Sequence, residues 1–177
     1  MRFKIHKMQQ DWLTFLAALA AQNQPAAVLL ALQDLFRKEV GARLFTVMTF
    51  DARTGLSRRV HSSHPAEYPV SGVKPLSLGL WSRTVIDERR TFVANSIEAI
   101  AEVFPDHALI RSLGCCSVVN LPAICADAVI GTVNMLDISG YYTPDRVAKI
   151  ERLAPFAVTA LLVARLVESE RAMDDRK

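Results

Sequence analysis

Cysteine is scarce in this chain, glycine is scarcer than in most domains, and no apolar run is long enough to cross a membrane. Cys115, Cys116 and Cys125 are odd in number and lack metal-ligand spacing, so neither a disulfide scaffold nor a thiolate metal site is written here. Adjacent residues on a strand point to opposite faces, and Cys115 and Cys116 therefore cannot grip one ion together. This cysteine usage assigns the cytoplasm. The most apolar stretch, Leu153 to Val167, is interrupted by Pro155, Thr159 and Arg165 and falls short of the roughly 20 residues of a spanning helix. No membrane partner is expected. Charge of one sign is lacking too: 21 basic against 18 acidic residues give a net +3, too mixed a balance to point to nucleic acid. With only 7 glycines and no low-complexity tract, a collagen-like or disordered chain is excluded.

What is present is apolar. Hydrophobic residues make up 51% of 177 positions and mean hydropathy is +0.19, ample for one packed domain. The start, "MRFKIHKMQQDWLTFLAALAAQ", sets basic residues before an apolar run and so imitates a signal peptide. Asp11 and the flanking glutamines break that pattern, whereas Trp12, Phe15, Leu16 and Leu19 recur at helical spacing. Residues 1–24 are read as an N-terminal helical extension and 25–177 as a single domain that includes the long C-terminal helix.

Along that domain, Pro25 opens a helix whose buried face is Val28, Leu29, Leu32, Leu35, Phe36 and Val40, with Gly41 as its C-terminal cap. Runs at 44–50 and 56–61 flank the turn "DARTG" and predict a hairpin. The proline-rich "SSHPAEYPVSGVKPL" predicts a loop with a short edge strand near Tyr68. A helix over 78–88, a strand over 91–93, a helix capped by Ser96 and a separate turn "DHALIRSL" after Pro105 follow. Strands at 117–124 and 129–138 form the strongest hairpin. Thr143, Pro144 and Asp145 open a last helix reaching about residue 170, kinked at Pro155. The order ααββ, helical insert, ββα predicts an α+β fold with an antiparallel sheet.

This order, with the proline-strand-turn-glycine-strand pattern of "LPAICADAVIGTVNMLDI", resembles a GAF domain over about residues 25–167. The segments "YPVSGVKP", "FPDH", "SLGCCSVVNLP" and "YYT" resemble small stand-alone bacterial GAF proteins. The resemblance implies terminal helices on one face of the sheet and a helical and loop insert covering a pocket on the other. Relatives use that pocket for cyclic nucleotides, bilins, haem or small metabolites, and their terminal helices often pair in a homodimer. The subfamily marks are missing. Asn95 is followed by Ser96 and no Asp-Glu pair follows Phe104, against cyclic nucleotides; no cysteine follows His107 before Cys115, against covalent bilin. The stretch "LGLWSRTVI" lacks the thiol of a free methionine sulfoxide reductase. No cofactor and no metal is expected.

The implied function is binding of a small, anionic organic molecule in a sensory or regulatory protein, with output through a protein partner since nothing after Lys177 reads as an effector. Alternatives left open are a small enzyme using Cys116 or His107, and an interaction module with a vestigial pocket. Placed on the fold, Tyr68, Trp81, Phe104, His107, Arg111, Cys116 and Asn120 are the candidate ligand residues, with Lys74 and Arg83 at a rim. His107 and Arg111, four apart, share a helical face suited to an anion. A symmetric turn at Ala126 and Asp127 would put Asn120 and Asn134 on opposite faces, with Cys116 on Asn120's side. His61 and His64, beside Arg58 and Arg59, read as strand-to-loop surface.

Overall fold

The densest apolar and β-branched runs become the central strands of the computed structural model, which describes residues 12–70, 73–76 and 79–174. Helical residues 12–19 (α1) and α2 (Ala26–Glu39) lead into the hairpin β1 (Leu44–Asp51) and β2 (Leu56–Ser62), then β3 (Val73–Pro75). A single helical turn, α3 (Leu80–Ser82), runs into a wider turn at Arg83–Asp87, followed by β4 (Phe92–Ala94), α4 (Ile97–Ala101) and α5 (His107–Ser112). The long hairpin β5 (Ser117–Cys125) and β6 (Ala128–Asp137) precedes α6 (Pro144–Arg152) and α7 (Ala154–Asp174). The six strands form one sheet in the order β3-β2-β1-β6-β5-β4, and every neighbouring pair is antiparallel. The α+β architecture is as expected from the sequence.

Strand alternation sorts the core into two layers. Phe45, Val47, Val133 and Met135 pack with Leu32 and Phe36 of α2 and Leu161 of α7. Their neighbours Leu44, Val118 and Leu136 pack with Val85, Ile100 and Ile110 of the insert. Helices thus cover one face and the insert covers the other. Gly41 ends α2 at φ +89°, a conformation glycine adopts without penalty, and its N–H reaches the Phe36 carbonyl. In α1, Phe15 is 2% exposed and meets Phe156 edge-on at 5.0 Å between centroids, whereas Trp12 remains 49% exposed.

Three expectations are corrected. The single kinked helix is two, α6 and α7, meeting at Leu153; Pro155 has no N–H to carry a continuous ladder through the junction. The edge strand lies at Val73–Pro75, paired to β2, and Tyr68 sits in the preceding loop with its N–H on the His64 carbonyl. His61 is not plain surface: its Nε2 lies 2.8 Å from Gln33 Oε1 of α2. Thr143 does occupy the N-cap of α6, yet its hydroxyl makes no capping bond, while Ser96 Oγ accepts from the Ala99 N–H.

His61 also carries a pH prediction. Burial holds its pKa below the usual imidazole value, with Asp34 offsetting part of the effect. The unfolded chain, titrating at about 6.5, then takes up the proton more readily than the fold, so this contribution to stability is present above about 6.5 and is lost as pH falls through it. The urea midpoint should drop between about pH 7.5 and about pH 5.5, and the drop should be smaller in His61→Gln. An equal drop in both proteins would assign the effect elsewhere. Among the described residues no helix is long and apolar enough to cross a membrane.

Candidate functional site

Between the sheet and the insert lies a cavity of about 320 Å³. Its floor is polar where the sheet is deepest. Trp81, on α3, donates its indole N–H to Asn120 Oδ1 at 3.0 Å. Asn120 donates to Asn134 Oδ1 at 2.7 Å, and Asn134 donates to Thr46 Oγ1 at 3.2 Å. The relay crosses β5, β6 and β1 in a single register row, because Asn120 is paired with Asn134 and Asn134 with Thr46. Buried amides left alone would cost about 1–3 kcal/mol each, so the row supplies each amide with a partner while keeping it at the cavity wall.

This corrects the expected parity of the asparagines. The register of β5 and β6 slips between Ala123 and Ile124, and Ile130 is the extra residue. Such a bulge turns the following side chains to the other face, so both asparagines line the cavity. A second slip, between Val47 and Met48, leaves Val60 of β2 unpaired. Arg59 therefore pairs with Met48 and lines the cavity, although His61, of the same sequence parity, meets α2. Arg58 goes to the helical face, where it reaches Glu168 of α7 at 3.4 Å.

The rim around Arg59 is charged and aromatic. Its guanidinium lies 4.9 Å from the Tyr68 ring centroid, and Nη1 donates to the Pro69 carbonyl at 3.2 Å. Among the described residues Arg59 Nε is buried without a hydrogen-bond partner. Desolvation lowers its pKa, opposed by the nearby Tyr68 and Asp106. Tyr68 donates its hydroxyl to Asp106 Oδ2 at 2.8 Å; burial first, then that bond, raises its pKa well above the usual phenol value. The phenol stays protonated at neutral pH.

Of the seven candidate ligand residues, Tyr68, Trp81, Phe104 and Asn120 line the cavity, together with Lys74. His107, Arg111, Cys116 and Arg83 do not. The helix α5 turns Ile110 inward, on the face it shares with Asp106 four residues earlier, and both line the cavity. His107 and Arg111 are one position further round; His107 Nδ1 rests 3.2 Å from the Phe104 carbonyl. Cys116 precedes β5, with its N–H bonded to the Asp137 carbonyl, and Val118 is the first β5 residue at the cavity. Cys115 is buried in the insert-side core, where desolvation pushes its thiol up to about 11. Arg83 pairs with Glu88 at 3.8 Å. His64 Nδ1 meets Ser63 Oγ. Among the described residues no group of three His, Cys, Asp or Glu could hold a metal ion.

Sequence reasoning missed Arg59, Thr132 and Asp106. A signal existed for the first: adjacent arginines on one strand point to opposite faces, so one of Arg58 and Arg59 had to face the covered side.

No family model and no curated protein matches the chain. Solved structures do match. The GAF domain of a phosphoenolpyruvate-protein phosphotransferase from Coxiella burnetii is 14% identical, with 92% of this chain and 96% of that one covered and a TM-score of 0.68. The GAF domain/HD domain protein from Geobacter sulfurreducens is 18% identical, with 82% and 94% covered and a TM-score of 0.64. The chromophore-binding domain of an unusual bacteriophytochrome from R. palustris is 11% identical, with 95% and 64% covered and a TM-score of 0.65. At these identities the likeness is one of fold, and the fold is that of a GAF domain.

Proposed function

We propose that this GAF-fold chain is a cytoplasmic sensory or regulatory protein that encloses a small organic molecule between its sheet and its helical insert. The observation that carries the reading is the polar relay in the cavity floor. It ties Trp81 of the insert to three strands of the sheet, so a molecule displacing or joining that row pulls on lid and sheet together. Ligand occupancy then changes the population of insert conformations and, through the sheet, the terminal helices that meet a partner. Binding of a chromophore by a protein with the same fold supports a ligand in this one.

The terminal helices also favour a second copy as partner. Leu16 of α1 and Leu162 and Leu166 of α7 are exposed, Leu166 at 60%, and apolar surface of this kind is commonly covered by an isologous interface. Three free thiols suit a reducing compartment.

Native mass spectrometry of gently purified protein tests the reading. The expected spectrum is a dimer whose protomers each carry a small molecule that leaves on activation. A bare protomer mass, together with no stabilisation by any member of a metabolite library, would overturn ligand binding. A monomer at micromolar concentration would overturn the dimer.

A further inference from the structure

Two buried polar atoms of cavity-lining residues, Arg59 Nε and Thr132 Oγ1, have no hydrogen-bond partner among the described residues, and the two residues stand in one row of the sheet. Met48 of β1 is paired with Arg59 of β2 on one side and Thr132 of β6 on the other. With strands about 4.8 Å apart, the two Cα atoms flank Met48 at roughly 10 Å separation. Arg59 contributes a buried, unpartnered Nε–H; Thr132, 0% exposed, contributes a buried, unpartnered hydroxyl. Buried polar groups are nearly always hydrogen-bonded. Two orphans on one wall, one of them on a cationic side chain, find no acceptor among the described residues.

Charge narrows what the acceptor is. Among the described residues Arg59 makes no ion pair, and it is the half-buried cation of the wall; Lys74 lies on the exposed edge strand β3. Asp106, bonded by Tyr68, adds negative potential at the rim. One guanidinium balances one carboxylate, whereas a phosphoryl group with about −1.5 to −2 charges would remain undercompensated. Beside the polar relay, part of the wall is aromatic. Trp81 and Phe50 meet edge-on at 5.9 Å, and Phe104 closes the roof. At about 320 Å³ the space is at the small end of ligand pockets.

We infer that the cavity takes a small aromatic monocarboxylic acid, its carboxylate on the Arg59 and Thr132 row and its ring among Trp81, Phe50 and Phe104. The inference rests on the ligand-binding reading and adds to it the chemical class and the anchoring residue. Arg59 supplies the charge-assisted bond, Thr132 a second donor, and Asn120 and Asn134 are left to the relay.

Isothermal titration of the full chain with matched probes tests it: benzoate and indole-3-acetate as acids, benzamide and indole-3-acetamide as neutral isosteres, phenyl phosphate as the dianion. At least one acid is expected to bind, its amide at least about tenfold more weakly. Arg59→Gln should lose roughly 10- to 100-fold for the acid and little for the amide. Arg59→Lys should recover part of that loss, and Thr132→Val should lose less than Arg59→Gln. Melting curves of each variant check folding, and the lysine variant keeps the test decisive if the glutamine variant unfolds. Equal affinity for acid and amide, or undiminished acid binding by Arg59→Gln, overturns the anion assignment and leaves ligand binding standing. Tighter binding of phenyl phosphate overturns the carboxylate. Failure of all probes, with a bare protomer in native mass spectra, overturns both readings.

Discussion

Gly131→Ala is expected to cost about 3 kcal/mol of stability, at the top of the usual range for overpacking. Gly131 sits in the middle of the sheet, paired with Thr49 on β1 and Ala123 on β5. A Cβ built there would fall inside contact distance of the Met48 backbone carbonyl oxygen and reach 3.0 Å from Leu161 Cδ2 of α7. A side chain can swing aside, but a carbonyl in the neighbouring strand moves only with its strand. Relief therefore requires β1 to shift against both β6 and α7, at the point where the Ile130 bulge already bends β6. For a domain of this size, a loss of that order lowers the melting temperature by roughly 6–12 °C. Urea unfolding followed by circular dichroism measures it. A change smaller than about 1 kcal/mol would mean that the packing of β6 against β1 and α7 yields freely, contrary to the packed layer described.

The same bulge marks the limit of what the sequence discloses. Alternating apolar residues and turn signals located the central hairpin to within one or two residues: 117–124 and 129–138 against Ser117–Cys125 and Ala128–Asp137. They did so because a half-buried strand must present one face to each layer. Side-chain parity past a bulge has no such local signature. One inserted residue at Ile130 brings Asn134 to the cavity, and one at Val60 separates Arg59 from His61. Trp81, Phe104 and Tyr68 were legible as cavity residues because the GAF resemblance located the insert. His107 and Arg111 were not, because the rotation of a six-residue helix is set by its one buried side chain, Ile110. Arg59 looked like surface charge, since nothing in "LSRRVHS" tells which of two arginines is covered.

Asn134 is the residue on which the floor of the site depends, and Asn134→Leu tests it. Leucine keeps much of the volume but removes both hydrogen bonds of the central relay member. The Asn120 amide N–H then has no acceptor, and Thr46 Oγ1 loses its donor. Thr46 can rotate its hydroxyl; the Asn120 amide cannot leave without breaking its bond from Trp81. The expected cost is about 2–3 kcal/mol, mainly the desolvation of one stranded amide. Asn120→Leu should cost a similar amount and in addition free the Trp81 indole, visible as a change in its fluorescence. In the double variant no asparagine amide remains to be stranded. Its loss should therefore be smaller than the sum of the two single losses by at least about 1 kcal/mol, the signature of residues in one network. Strict additivity in that cycle would reduce the row to independent pairs, and the insert would then have no energetic tie through the sheet to β1. A coupled result would mean that whatever binds against Trp81 is felt three strands away, at the strand whose opposite face carries Phe45 and Val47 to the helices.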